Sequence, residues 1–252
     1  MFTLSDNYSP LLDERIYRPI GQISTKLNDS ENILVRKTIS LEICSKVFNE
    51  SYKYYEAMED LNLNNFYCLS LNKSKNNDID KKEFYINEFW GNNGFQMLKI
   101  KLYNCSAIAK NKSECASDEE MKKRLNSPIL SYYTLNNLID TNNFKEPFVR
   151  GIQEHFYYLS YKKMISATQY LKHLRIKTDK GLLFYEEEIK DDSTIDSMIS
   201  YSVEEPTDGR FFTMSIQLIN YIDIYTRSYY KFQDLGSDIG AIYGVLHMFF
   251  SI

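Results

Sequence analysis

Apolar and polar positions alternate with a period of two along most of this chain, the mark of half-buried strands. The clearest run is Arg210 to Tyr225, where Phe212, Met214, Ile216, Leu218, Ile222 and Ile224 share one face and Thr213, Ser215, Gln217 and Asp223 the other. A strand of this kind buries one face only. Further strands are predicted at Ile33 to Ile43, Phe66 to Leu71, Glu83 to Trp90, Phe95 to Tyr103, Ile129 to Leu135, Ser166 to Lys177 and Leu182 to Glu188. Thr178-Asp179-Lys180-Gly181 carries turn chemistry, so residues 166 to 188 read as a β-hairpin, and Glu205-Pro206-Thr207-Asp208-Gly209 is a second turn leading into the long strand.

Helical signals are few. Ser117-Asp118-Glu119-Glu120 has capping-box spacing and starts a short helix through Met121 to Leu125 that Pro128 ends. A second helix is predicted from Ser45 to Met58, with Val47, Phe48, Tyr54 and Tyr55 as its apolar positions, and Asn72 to Lys82 reads as an exposed loop. The expected fold is mainly β within the α+β class: an antiparallel β-sheet domain over residues 1–224 with short helices, followed by a C-terminal helix in a segment of its own over 225–252.

That last segment breaks the strand pattern. From Ile239 onward it has no Lys, Arg, Asp or Glu, and Gly236, Gly240 and Gly244 fall four apart. Such a seam lets helix backbones approach closely, whereas in a solvated helix each glycine is worth roughly 1 kcal/mol less than alanine. Tyr225, Tyr229, Tyr230 and Phe232 with Arg227 and Lys231 are the aromatic and basic residues found at headgroup level. The uncharged run is shorter than the about 20 residues a span needs. Two readings stay open, a partial membrane helix and a core helix packed on the sheet. Charge does not decide orientation.

Composition narrows the function classes. The 252 residues carry 30 Lys+Arg against 34 Asp+Glu, a net charge of −4, with 43% apolar, 15% aromatic and 25% charged residues. The near-neutral balance gives no reason to expect nucleic acid as a partner, and the apolar content excludes a disordered chain. A mean hydropathy of −0.43 excludes a multi-pass membrane protein.

Four cysteines, Cys44, Cys68, Cys105 and Cys115, lack the close CxxC pairs of a zinc site and read as two disulfides, with free thiols in a reducing compartment as the alternative. Cys105 and Cys115 flank a short polar stretch that a disulfide would close into a loop. Asn-x-Ser acceptors at Asn28, Asn49, Asn72 and Asn111 are candidate glycosylation sites; Asn7 is weakened by Pro10, and a glycan on Asn104 would crowd Cys105. The first ten residues have neither a basic start nor an apolar run, which on its own reads as cytosolic.

Catalytic chemistry finds no constellation. His155, His173 and His247 are not at metal-ligand spacing, and there is no Gly-x-Ser-x-Gly, P-loop or dinucleotide loop. Glu186-Glu187-Glu188 and Asp191-Asp192 read as solvated charges rather than glycosidase carboxylates. His247 falls beside the glycine seam, where an ionisable group in a membrane helix would carry function. Neither an enzyme, nor a cofactor, nor a metal is expected.

Several pieces in order, Asn65-Phe-Tyr-Cys-Leu69, Phe89-Trp-Gly91, Lys101-Leu-Tyr-Asn-Cys105, Ser113-Glu-Cys-Ala-Ser-Asp-Glu-Glu120, Ile176-Lys-Thr-Asp-Lys-Gly-Leu-Leu-Phe184 and Tyr225-Thr-Arg-Ser-Tyr-Tyr-Lys-Phe-Gln-Asp234, carry a resemblance. From about Thr38 to its end the chain resembles a group of transmembrane proteins predicted in ciliate genomes. The resemblance implies a cysteine-containing non-cytoplasmic domain ahead of a C-terminal membrane helix that runs past Ile252, and an N-terminal membrane helix that this sequence does not carry, so the chain reads either as shortened at both ends or as a divergent copy. Asp234-Leu-Gly-Ser-Asp-Ile-Gly240 is also loosely similar to the stretch leading into the last membrane helix of degenerin and epithelial sodium channels. The expected function is a membrane-attached protein with a non-cytoplasmic interaction domain, in contact with lipid and self-associating or partner-binding through its last helix. A soluble cytosolic β-rich interaction module and an ion-channel-like subunit are the alternatives.

Overall fold

A computed structural model describes residues 1–6, 9–26, 34–47, 55–70, 95–143, 145–181, 183–204 and 208–250. Eleven strands dominate it: β1 (Phe2–Asp6), β2 (Ser9–Leu11), β3 (Tyr17–Lys26), β4 (Leu34–Ile43), β5 (Tyr67–Ser70), β6 (Gln96–Asn104), β7 (Ile129–Ile139), β8 (Phe148–Tyr158), β9 (Lys163–Asp179), β10 (Glu187–Glu204) and β11 (Arg210–Arg227). Their order is β10-β9-β11-β6-β3-β4-β5-β1-β7-β8, with β2 paired to β1. Neighbours are antiparallel except β9 and β11, which run parallel. The fold is mainly β, as the alternation predicts.

The sheet folds over on itself into two layers. Tyr132 of β7 donates to Gln169 of β9 at 2.8 Å, and the Tyr157 ring of β8 lies 5.3 Å from that of Phe212 in β11, so β7 and β8 cover β9 and β11. Leu4, Tyr17, Leu98, Ile100, Leu102, Leu130, Phe212 and Met214 fill the space between. Both Phe211 and Phe212 are buried because the β11 register slips between Arg210 and Phe212. A bulge of this kind lets two successive side chains reach apolar surroundings. Pro19 is tolerated in β3 because, at that level, β3 has β6 on one side only; β4 joins from Gly21 onward.

Predicted elements and observed ones differ where side-chain pattern and pairing part. The hairpin of β9 and β10 exists, but its connection spans 180–186 and its second strand starts at Glu187, not Leu182. Strands β1, β2, β3 and β8 have no counterpart among the predicted elements, and most of β10 has none. Of the predicted helix over 45–58 the described residues form α1 (Cys44–Val47) and α2 (Tyr55–Asp60), and 48–54 lie outside the described residues. The predicted helix start holds: α4 (Asp118–Arg124), which follows α3 (Cys105–Ile108), is capped by Ser117, whose hydroxyl accepts the Glu120 N–H at 3.2 Å, with Met121 and Leu125 buried. The strand predicted at Glu83 to Trp90 and the loop at Asn72 to Lys82 lie outside the described residues.

The single buried face expected along Arg210 to Tyr225 ends at Leu218; Ile222 and Ile224 are exposed. Two events explain this. β6 accompanies β11 only as far as Gln217, and the pairing of β11 with β9 slips between Leu218 and Ile222. The opposite neighbour, β10, slips on β9 at nearly the same level, between Ile195 and Ser197. There Lys172 of β9 bridges Asp196 of β10 at 3.2 Å and Asp223 of β11 at 2.8 Å. Beyond this level β9, β10 and β11 continue as a three-stranded stalk, backed by the end of β7. Asn137 donates to Asp192 and to the Ser193 carbonyl, and Asn136 accepts from Thr194 and from the Ile195 N–H.

Candidate functional site at the stalk end

Strand direction divides the molecule into two ends. β9 and β11 finish together, with Thr178 opposite Arg227, at the end where β7 turns into β8. At the other end β6 runs out at Asn104 beside the start of β11, and β4 runs out at Ile43. Both disulfides sit there, as Cys44–Cys68 and Cys105–Cys115. The helix α5 (Phe232–Phe250) leaves from the stalk end.

Asp179, the last residue of β9, organises this end. Its Oδ1 accepts the backbone N–H groups of Gly181 at 3.1 Å and Glu186 at 3.0 Å, and its Oδ2 lies 2.7 Å from the Lys231 ammonium. The Lys180 N–H closes the same connection on the Glu186 carbonyl at 2.7 Å. A glycine is required at 181, because a Cβ there would stand 1.6 Å from the Phe184 carbonyl oxygen. Lys231, with the Glu186 and Gly181 N–H groups, holds the Asp179 carboxyl below the usual carboxylate range. The Lys231 ammonium also lies 5.5 Å from the centre of the Tyr185 ring, within cation–π range. One carboxylate therefore fixes the β9–β10 connection and ties it to the residue preceding α5. Arg227 is held likewise, donating to the Thr178 hydroxyl at 2.9 Å and 3.1 Å and to the Asn143 carbonyl at 3.1 Å. Of the two basic residues expected at headgroup level, Lys231 thus ties the start of α5 to the stalk, and Arg227 ties the end of β11 to β9 and to the β7–β8 connection.

The start of α5 is capped by Asp234, which accepts the Lys231 N–H at 2.9 Å, half of a capping box. None of the helix's side chains is buried, and nothing lies within 4 Å of the positions where Cβ atoms on Gly236, Gly240 or Gly244 would stand. A core helix packed on the sheet is therefore not what α5 is. Among the described residues no helix is long and apolar enough to cross a membrane. Tyr225, Tyr229, Tyr230 and Phe232 are exposed, as are Leu183, Phe184 and Tyr185 of the β9–β10 connection.

Asn111 is exposed at the disulfide end. Asn104 caps α3, accepting the Ala107 N–H at 2.9 Å and packing on Gly209, and Asn111 caps the next turn in the same way, accepting the Ser113 N–H at 3.2 Å. Asn28, Asn49 and Asn72 lie outside the described residues. The acidic runs are paired: Glu187 with Lys177 and Asp191 with Arg175 at 2.7 Å across β10 and β9, and Glu188 with Lys180 of the connection and Lys190 of its own strand. No group of three or more His, Cys, Asp or Glu that could hold a metal occurs among the described residues. Between the layers an apolar cavity of about 230 Å³ is lined by Phe2, Met58, Tyr67, Tyr132 and Ile216, with the unpartnered Thr134 hydroxyl on its wall.

The turn chemistry at 178–181 is legible in the sequence, but the meeting of Asp179 and Tyr185 with Lys231, which joins this connection to α5, and the tight path that Gly181 allows are not. The aspartate and glycine inside that turn were the available signal; the partner, Lys231, is distant in sequence.

The fold and this end define a two-layered β protein with a projecting, glycine-lined C-terminal helix. The chain belongs to the family described as the uncharacterised 80 kDa protein N-terminal domain, which matches residues 1–219. The match covers β1 to β10 and β11 as far as its register slip, and stops short of α5. No curated protein and no solved structure matches the chain.

Proposed function

We propose that the chain is a membrane-attached, non-enzymatic protein that presents its β-rich domain on the non-cytoplasmic side and self-associates or binds a partner through α5. The observation that carries this reading is the helix itself: 19 residues with no buried side chain and an open glycine face. In water such a helix would expose Ile239, Ile242, Leu246, Met248, Phe249 and Phe250 together, a patch of the kind that marks a membrane or protein contact. The charge-free stretch from 239 to 250 measures about 18 Å, short of the about 30 Å of a hydrocarbon core. The described helix therefore enters the bilayer rather than crossing it.

Two paired disulfides favour an oxidising compartment. They and the exposed Asn111 occupy the end away from α5, where a non-cytoplasmic domain would carry its glycan. This orientation is the one that the resemblance to ciliate transmembrane proteins implies. Membrane fractionation followed by alkaline carbonate extraction tests attachment. The chain is expected to stay with the membrane pellet; complete release into the supernatant would overturn the reading.

A further inference from the structure

We infer that the connection between β9 and β10 is a second membrane-contacting element, a rigid apolar tip set beside the base of α5 and seated in the interfacial layer of neutral phospholipid. The inference rests on the attachment proposed above and extends it to residues remote from the helix in sequence. Leu183, Phe184 and Tyr185 are 48%, 77% and 67% exposed, three consecutive large apolar side chains at the end of the stalk. Tyr230 and Phe232, at 62% and 65%, continue the surface at the start of α5. Solvation of such a run is unfavourable by the ordinary measure of apolar area. Aromatic rings with one apolar and one polar side are the residues that sit at a membrane–water boundary.

Order distinguishes this tip from a loose loop. Asp179 gathers two backbone N–H groups at its base, Gly181 permits its tight path, and Lys231 fixes it to the strand that leads into α5. An element held in this way loses little conformational freedom on binding. Its position is equally specific, since the parallel pairing of β9 with β11 delivers the connection and the helix to one end of one sheet. The partner is a neutral lipid surface because the charges around the tip balance, Lys177, Lys180, Lys190, Arg227 and Lys231 standing against Asp179, Glu186, Glu187, Glu188 and Asp234.

The test places a tryptophan at the tip of the full chain, Phe184→Trp, and a control at Phe156→Trp on β8, which is exposed near the disulfide end. The parent, whose one tryptophan is Trp90, gives the background. Each protein is reconstituted with vesicles of phosphatidylcholine, and vesicle flotation is followed by emission with brominated phosphatidylcholine as quencher. Floating protein with the tryptophan at 184 losing most of its emission, and the one at 156 losing none, is the expected result. Floating protein with an unquenched tryptophan at 184 overturns the tip contact and leaves helix attachment standing, and points to a protein partner for the tip. Protein that does not float overturns attachment and the tip together.

Discussion

Tyr132 and Gln169 join the two β layers through one buried hydrogen bond, the tyrosine hydroxyl donating to Gln169 Oε1 at 2.8 Å. Burial pushes the Tyr132 hydroxyl well above the usual tyrosine range, so it remains a donor throughout the accessible pH range. Gln169 Nε2 has no partner, which leaves Oε1 as the amide's one satisfied side-chain group. Tyr132→Phe is expected to destabilise the domain by about 1–3 kcal/mol, the magnitude for stranding a buried polar group. Gln169→Met in the Tyr132→Phe background should recover part of the loss. Urea unfolding of the two single variants and the double variant measures the coupling, and additive losses would show that the bond does not couple the layers.

Each disulfide closes a loop at the end away from α5, with sequence separations of 24 and 10 residues. By chain entropy, losing Cys44–Cys68 costs roughly 3–4 kcal/mol and losing Cys105–Cys115 about 3 kcal/mol. Paired Cys→Ser variants should therefore unfold at lower urea in that order. Peptide mapping without reductant should return the two linkages and no free thiol. Mixed connectivity would contradict the arrangement.

The alternation along β11 revealed the long strand because its side chains meet a core as far as Leu218. Past that level the same alternation continues, but the slip leaves Ile222 and Ile224 exposed, while Leu174 and Ile176 of β9, paired with Asp223 and Tyr225, stay buried. Pairing, not residue type, sets the boundary: β6 ends at Gln217 and the register slips. Strands β3 and β8 escaped because Pro19 in β3, and polar residues such as Gln153, Glu154 and His155 in β8, break the apolar rhythm that marks half-buried strands, and β1 because Phe2 and Leu4 are too short a run to stand out. At the stalk end, exposed aromatics around 225–232 were legible as a group. Their joining to the β9–β10 connection was not, since a 2.7 Å contact between residues 179 and 231 leaves no periodic trace.

The Asp179 carboxyl gives this end a defined pH response. Its folded-state value is depressed by Lys231 and by the Glu186 and Gly181 N–H groups. The stabilisation it brings is present above the unfolded value of about 3.9 and is lost as pH falls through the lower folded value. Asp179→Asn should lower the melting temperature at neutral pH, and the gap from wild type should close below about pH 4. Lys231→Met should show the same convergence. A gap that persists into acid would mean that the ion pair is not its source.

Gly181→Ala should open the β9–β10 connection, since the added methyl meets the Phe184 carbonyl oxygen at 1.6 Å. The main chain must move to relieve such a contact, at a cost on the order of 1–3 kcal/mol. Hydrogen exchange of the Glu186 amide, which donates to Asp179, should accelerate in this variant. An unchanged exchange rate would show that the turn is not under this constraint.

Gly236, Gly240 and Gly244 answer a different question, because open space surrounds all three. If α5 acts alone, replacing them with alanine adds helix propensity, roughly 1 kcal/mol each, and leaves the assembly state unchanged. Should the seam instead hold a second copy of the helix, the backbones meet across it and larger side chains force them apart. Self-association predicts that Gly240→Leu, and more weakly the triple alanine variant, shifts the chain toward monomer in lipid or detergent while helix content stays level or rises. Energy transfer between two fluorophore-labelled populations of the full chain reads the assembly, and circular dichroism reads the helix. Loss of both together would report helix melting, whereas loss of energy transfer with helix content retained is the signature of a packed glycine face. No change in energy transfer for Gly240→Leu would remove the seam from the proposal and leave α5 as an anchor only.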